Sequence, residues 1–309
     1  MTTSSPAILL SGASGMLGSA LRQSLAARSM SVLQLVRRPP DQPSELEWDP
    51  STPQPISDAE RLENLSAAIH LSGAGVAAHR WTPAYKREMT ASRVHSTRAL
   101  AATLAGLRRP PQTLLVASAT GIYGDRGAEL LDESSASGSG FLADLCRQWE
   151  GAAQPALAAG IRVIHLRFGV VLGPGGALAR MVPIFRIGLG GPLGSGRQYM
   201  SWISLPDAVA AILFALETPS LAGPVNFVAP NPVTNAEFTR ALARQLHRPA
   251  FFPAPALALR LAFGQMAREA LLAGARVQPA KLLAVGFTFA HPTIERALDW
   301  ALGPKPALS

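Results

Sequence analysis

An open α/β fold, a parallel sheet wound by helices on both faces, is predicted by three features of this 309-residue chain. Strand-like apolar runs alternate with helix-like amphipathic segments, the order that builds successive strand–helix units. The first apolar run, Ala7–Leu10, ends in Ser11-Gly12-Ala13-Ser14-Gly15-Met16-Leu17-Gly18 and passes directly into the amphipathic Ser19–Leu25. A hydrophobic content of 48% against 16% charged residues describes a well-buried globular chain. Its length suits one large domain, or a core domain with a smaller lobe. The expected division is residues 1–175, completed by part of 198–230, for the sheet-bearing domain. Residues 176–309 then form a C-terminal substrate lobe with a helical end.

The glycine stretch carries the first chemistry. Strand, tight loop and helix in this order make the Rossmann-type, doubly wound arrangement that receives a dinucleotide. Gly12 turns the chain out of the strand, Gly15 lets the backbone approach a pyrophosphate, and Gly18 lets the helix lie close to the strand. The loop and first-turn residues Ser14, Met16 and Leu17 join them, because helix-start N–H groups and the positive helix end face the phosphates. A loop that needs glycine only for turning is the plainer reading. The strand before it and the helix after it favour the dinucleotide.

Cofactor choice rests on the next strand, Ser31–Val36, which ends at Arg37-Arg38. A carboxylate here accepts hydrogen bonds from the ribose 2′-OH of NAD, whereas a guanidinium pairs with a 2′-phosphate. No acid occurs until Asp41, so Arg37 and Arg38 favour NADP(H). A solvated basic turn is the alternative. A short strand at Leu46–Trp48 interrupts the proline-rich loop that follows.

Ala67–Ser72 is a buried strand running into Gly73-Ala74-Gly75. Small residues at its carboxyl end leave room for adenosine and pyrophosphate, so Leu71, Ser72, Gly73 and Ala74 enter the cofactor set. Pro83 suits the first turn of a long helix from Ala84 to about Leu107. On it Arg93 and Thr97, like Ser92 and Ser96, lie one turn apart. Arg93 is assigned to the cofactor, although a solvated face is the commoner use of such positions. Gln112–Ala117 then opens into Ser118-Ala119-Thr120-Gly121-Ile122-Tyr123-Gly124. Ala117 and Ser118 sit where a nicotinamide-dependent protein holds its cofactor, and Ser118 and Tyr123 are the candidate catalytic hydroxyls. Further along come a strand at Ile161–Gly169 and a glycine-rich loop at Gly188–Gly196. Helices follow at Pro206–Leu216, Ala236–Leu246 and Ala256–Ala273, the last strongly apolar with a face free for a partner. The tail Gly303–Ser309 reads as loose.

Several classes are excluded. The net charge of +8 invites nucleic acid, but the basic residues are scattered rather than striped, so none is expected as a partner. No run approaches the roughly 18–20 apolar residues of a membrane span, and no secretory signal is visible. The single Cys146 fits a reducing, cytoplasmic setting. The dispersed histidines and lone cysteine give no metal site. Neither a hydrolase elbow nor an ATP-binding P-loop is present. Monomer and homodimer both remain open.

Taken together, the glycine loop, Leu71-Ser72-Gly73-Ala74-Gly75 and Ser118…Ile122-Tyr123-Gly124 resemble the extended short-chain dehydrogenase/reductase, or nucleotide-sugar epimerase, superfamily. Within it, Arg80–Lys86, Tyr123–Gly127, Phe141–Glu150, Arg167–Gly173 and Ser201–Ile203 resemble the branch termed "epimerase family protein". The region from Ala280–Leu283 to Trp300 is similar to that branch's small C-terminal domain. The resemblance covers essentially the whole chain. It implies a cofactor contact at Gly169, near the nicotinamide end, and substrate contacts at Tyr123, Arg197 and Trp202. An exposed Arg197 and a core Trp202 are the plainer assignments. Some relatives are associated with cell division.

One departure matters. Active members use a Tyr-x-x-x-Lys pair, whose lysine acidifies the tyrosine for proton exchange. Here Phe141 occupies the tyrosine position and Leu145 the lysine position, and no such pair occurs anywhere in the chain. Phe141, Leu145 and Trp149 instead make an apolar helical stripe. The expectation is an NADP(H)-binding, epimerase-like oxidoreductase of unknown small-molecule substrate that lacks this pair. A non-catalytic NADPH sensor or partner-binding protein is the alternative.

Overall fold

The structure, a computed structural model, describes residues 7–303. Met1–Pro6 and the expected loose tail beyond Gly303 lie outside the described residues. Strands β1 (Ile8–Ser11), β2 (Val32–Val36), β3 (Glu45–Glu47), β4 (Ala67–His70) and β5 (Thr113–Ala119) share a seven-stranded sheet with Arg162–Phe168 and Gly223–Phe227. The order is Gly223–Phe227, Arg162–Phe168, β5, β4, β1, β2, β3. β1 runs parallel to both β2 and β4, β2 to β3, and β4 to β5. This is the expected Rossmann-type sheet, and the short strand expected near Leu46 is its edge.

The strand order reverses at β1. From there the chain builds outward through β2 and β3, then returns to lay β4 on the other side. Connections diverge above such a switch point and leave a crevice at the strands' carboxyl ends. The register pairs Ser11 with His70, so Gly12 and Leu71 leave the sheet side by side.

By packing, the chain falls into two compact units. The first comprises residues through Ser118, Leu145–Leu166 and Ile212–Val225; the second comprises Ala119–Asp144, Arg167–Ala211 and Asn226 onward. In the first, Ile8, Leu9 and Leu10 are buried beside Ile69 and Leu114–Val116. Helix α1 (Met16–Ala27) buries Gly18, Leu21 and Leu25, which fall on one face at helical spacing. In the second, Phe185, Trp202, Phe238, Leu242, Ile294 and Leu298 share one core. Its helix Asn235–Leu246 starts on a capping box formed by Thr234 and Glu237.

Two expected helices differ in detail. The long helix is three pieces: α2 (Pro83–Thr90), a π-helical turn at Ala91–His95, and α3 (Ser96–Ala105). Arg93, Ser96 and Thr97, for which a solvated face was the plainer alternative, are buried. The apolar Ala256–Ala273 is interrupted. A helix spans Ala256–Phe263, Gly264 turns at φ +59, and a π turn covers Ala267–Leu271. Glycine takes that backbone angle without the steric penalty of a Cβ. Among the described residues no helix is long and apolar enough to cross a membrane.

A buried histidine bolts the strands beneath the crevice. His70 Nδ1 lies 2.6 Å from Ser11 Oγ, and its Nε2 lies 3.1 Å from Ser96 Oγ on α3. The ring meets Trp48 edge-on at 5.7 Å. Burial pushes the His70 pKa down to about 4, so the ring is neutral in the native state. The unfolded chain takes up this proton near the ordinary histidine value, roughly 6.5, and the native state does not. Stability therefore falls as pH drops from about 6.5 toward 4, by roughly 2 kcal/mol between pH 6.5 and 5. Chemical denaturation across that window should show this loss in the wild type and a flatter profile in His70→Asn. Parallel profiles would contradict the assignment.

Candidate functional site

The loop after β1 is shaped by contacts that only glycine permits. Gly12 sits at φ +72, and a Cβ there would lie 2.9 Å from the Leu71 carbonyl carbon and 3.0 Å from Ser72 N. A Cβ at Gly18 would overlap the Gly12 carbonyl oxygen and lie 2.9 Å from Ala13 Cα. The two residues thus hold the loop against β4's exit and α1 against the loop. Gly15 does neither; it is exposed, donates its N–H to Gly12 O at 3.1 Å, and serves as the α1 N-cap. No side chain caps α1, and its first turn holds no acid. Its leading N–H groups, with Ser14 exposed and Met16 and Leu17 half-buried, are left for an anion.

Leu71–Gly75 is clamped from below by α2 and the π turn. Ser92 Oγ accepts from Ala74 N at 3.1 Å, Arg93 Nη2 donates to Ala74 O at 2.7 Å, and the Tyr85 hydroxyl donates to Gly75 O. A Cβ at Gly73 would lie 3.3 Å from Arg93 Cζ. Arg93 is itself buried and its Cζ stands 5.1 Å over the Trp149 ring, whose Nε1 donates to Thr97 Oγ1 at 3.0 Å. A buried guanidinium needs such partners to offset its lost hydration. Arg93 therefore reaches this loop through the Gly73–Ala74 backbone.

The two arginines after β2 are not equivalent. Arg38 makes a bidentate pair with Glu45, at 2.8 and 3.0 Å, and an ion pair with Asp41 at 2.6 Å. The Asp41 N–H and the Arg38 guanidinium hold the Glu45 carboxyl below its usual range. Arg38 thus closes the turn from β2 to β3. Arg37 is exposed, and its side chain has no hydrogen bond or ion pair among the described residues.

At the end of β5, Ala117 and Ser118 are buried, and Ser118 Oγ donates to Glu150 Oε1 at 2.7 Å. Glu150 is carried on the helix Phe141–Gly151. Nothing in its spacing marked it, because the pairing spans 32 positions. On the same helix Leu145 and Trp149 are buried in the first unit. Phe141 and Leu145, at the positions where the resemblance would put tyrosine and lysine, are a half-buried phenylalanine and a core leucine.

In the second unit two of the candidate site residues are buried. Tyr123 is fully buried, its hydroxyl donating to Asn226 Oδ1 at 2.8 Å and accepting from Arg167 Nη1 at 3.0 Å. Arg167 also lies 5.3 Å over its ring. Burial pushes the Tyr123 phenol up despite the guanidinium, the wrong direction for an acid–base tyrosine. Tyr123 is thus enclosed, with its hydroxyl engaged by Asn226 and Arg167. Trp202 is likewise fully buried in the second core, its Nε1 donating to Asn231 O at 3.2 Å, and it presents no face to a ligand. Arg197 is exposed beside the glycine-rich loop. Gly169 is required by a close approach, since a Cβ there would stand 2.5 Å from Ser201 O.

Two acids of the second unit are also tied down. Glu133 is buried and accepts from Asn226 N at 2.9 Å, and Asp125 accepts from Gly274 N at 3.1 Å. Asn226, Arg167 and Glu133 were invisible as a set, because they converge from distant parts of the chain. Among the described residues no group of three or more His, Cys, Asp or Glu is placed to hold a metal ion.

Comparison with known proteins follows this geometry. Residues 8–228 match the NAD dependent epimerase/dehydratase family, and residues 254–301 match a domain of unknown function, DUF1731. An epimerase family protein of Mycobacterium bovis is 46% identical over 295 residues, covering 95% of this chain and 97% of that protein. The human epimerase family protein SDR39U1, solved with NADPH, superposes with a TM-score of 0.87 at 33% identity, covering 96% of this chain and 98% of the other. A nucleoside-diphosphate sugar epimerase from Corynebacterium glutamicum gives 0.80 at 35% identity, over 97% of this chain and 59% of that one. On these matches, and on the sheet and glycine loop described above, the chain belongs to the NAD dependent epimerase/dehydratase family.

Proposed function

We propose that the chain binds NADP(H) in its first unit and is an epimerase-like oxidoreductase acting on a small molecule still to be identified. One observation carries this reading: the uncapped start of α1 stands over a glycine loop seated on β4's exit, with an unengaged Arg37 at the end of β2. The residues fit the group. The N–H groups of Ser14–Leu17 would hold the pyrophosphate, and Leu71–Ala74 would flank it. Arg37 would take the 2′-phosphate through charge-assisted hydrogen bonds, with Arg38 held aside by Glu45 and Asp41. Ala117 and Ser118, at the end of β5 in the same unit, complete the set. The NADPH of the human relative supports the cofactor choice.

When bound, such a cofactor exchanges a hydride with its partner. This chain's own residues supply no tyrosine–lysine relay. The hydroxyl–carboxylate pair Ser118–Glu150, at the end of a central strand, is the group positioned to orient an oxygen there. The buried Tyr123 and the Phe141 position favour a second reading, NADPH binding without turnover.

Calorimetric titration should give tighter binding of NADPH than NADH, with NADPH affinity falling about 10- to 100-fold in Arg37→Ala, as loss of about 1.5–3 kcal/mol of charged hydrogen bonding implies. Arg38→Ala should change it far less, and equal binding of the two cofactors by the wild type would contradict the assignment. Tyr123→Phe should lower unfolding stability by about 1–3 kcal/mol, since the Arg167 and Asn226 groups lose a buried partner. Its NADPH affinity should match the wild type. Unchanged stability with abolished turnover across a substrate panel would instead restore Tyr123 as catalytic.

A further inference from the structure

The helix Ala256–Phe263 consists of alanine, leucine and phenylalanine with one arginine, and none of its residues is buried. A helix apolar on all sides is ordinarily enclosed by a protein core or by lipid. Here Leu257 is 68% and Leu261 72% exposed. The segment leading into it exposes Phe251 (81%) and Phe252 (63%). This segment is tied to the glycine-rich loop, with Gly194 N donating to Ala254 O at 2.8 Å and Ala254 N to Pro192 O at 2.9 Å. Arg248 Nε donates to Arg186 O at 2.9 Å, next to the exposed Ile187 and Leu189. All of these residues belong to the second unit, and a Cβ at Gly191 would overlap the Phe252 carbonyl oxygen, which sets this segment against the loop that carries Leu189.

The charge around them is predominantly positive. From Phe238 to Arg268 the chain has Arg240, Arg244, Arg248, Arg260 and Arg268 and no acid; from Arg167 to Pro206 it again has none. Arg240, Arg244, His247 and Arg248 line an open groove of about 650 Å³ with Phe251. The flanking acids are engaged: Glu237 in its capping box, Glu269 with Gln265 and Leu142 N, and Glu295 with Arg244.

We propose that this surface docks on an anionic phospholipid bilayer. Phe251, Phe252, Leu257 and Leu261 enter the boundary between headgroups and acyl chains, and the arginines meet acidic headgroups. An eight-residue helix lies on such a surface, because spanning it takes about 20 residues. A second copy would set this arginine-rich surface against its own like. Nucleic acid would satisfy the arginines but leave Ile187, Leu257 and Leu261 uncovered, since aliphatic side chains offer bases no ring to stack on.

The test is co-sedimentation of the full chain with phosphatidylcholine vesicles, with and without phosphatidylglycerol. Binding should be at least about tenfold tighter to the anionic vesicles and should weaken with added salt. Phe251→Ser/Phe252→Ser and Leu257→Ser/Leu261→Ser should each reduce it about tenfold or more, with an unchanged melting temperature. No binding to anionic vesicles, or binding indifferent to these substitutions, overturns the proposal. So does a concentration-dependent dimer that Leu257→Ser dissociates, or stronger binding to nucleic acid than to the vesicles.

Discussion

The first unit depends on two backbones leaving the sheet side by side. At the switch point the chain after β1 and the chain after β4 emerge in register, and the Gly12 Cα packs directly on the Leu71–Ser72 peptide. Neither segment leaves room for a side chain at that contact. Gly18 repeats the condition one step on by resting α1 on the Gly12 carbonyl. The helix is thereby aimed along the crevice with its first amide groups uncommitted, which a phosphate-binding helix start requires.

What fixes this contact lies beneath it and beside it. His70 joins Ser11 to Ser96 under the loops, and Ser92, Arg93 and Tyr85 hold Leu71–Gly75 from the neighbouring helix. The π turn at Ala91–His95 is where Ser92 and Arg93 reach the loop. Such turns recur in helices at functional sites. Buried polar groups, rather than exposed ones, thus shape the cradle. The second unit uses the same device to another end, since Tyr123, Arg167, Asn226 and Glu133 form a buried polar cluster with no member open to a ligand.

The sheet and its glycine loop were legible in the sequence because their signals are local: apolar runs, glycine spacing, and a helix directly after the loop. The missing tyrosine–lysine pair was equally plain, being one helical turn. Roles that depend on distant partners were not legible. Arg37 and Arg38 are adjacent and alike, and only the folding back of Glu45 separates the committed cation from the free one. Tyr123 and Trp202 carry groups suited to a site, yet residues roughly 30 to 100 positions away engage their polar atoms in the interior. The apolar stretch after Pro255 looked like one helix because the turn at Gly264 follows from packing rather than from period.

The central claim is that the cradle for the dinucleotide is set by the glycine contact between β1 and β4. Titration of NADPH into Gly12→Ala tests it most directly. The added methyl meets the Leu71–Ser72 backbone at a positive φ, a strain of about 1–3 kcal/mol that the loop must relieve by moving. The account predicts a folded protein, by far-ultraviolet circular dichroism, whose NADPH affinity is at least about tenfold weaker. Wild-type affinity in that folded variant would contradict it.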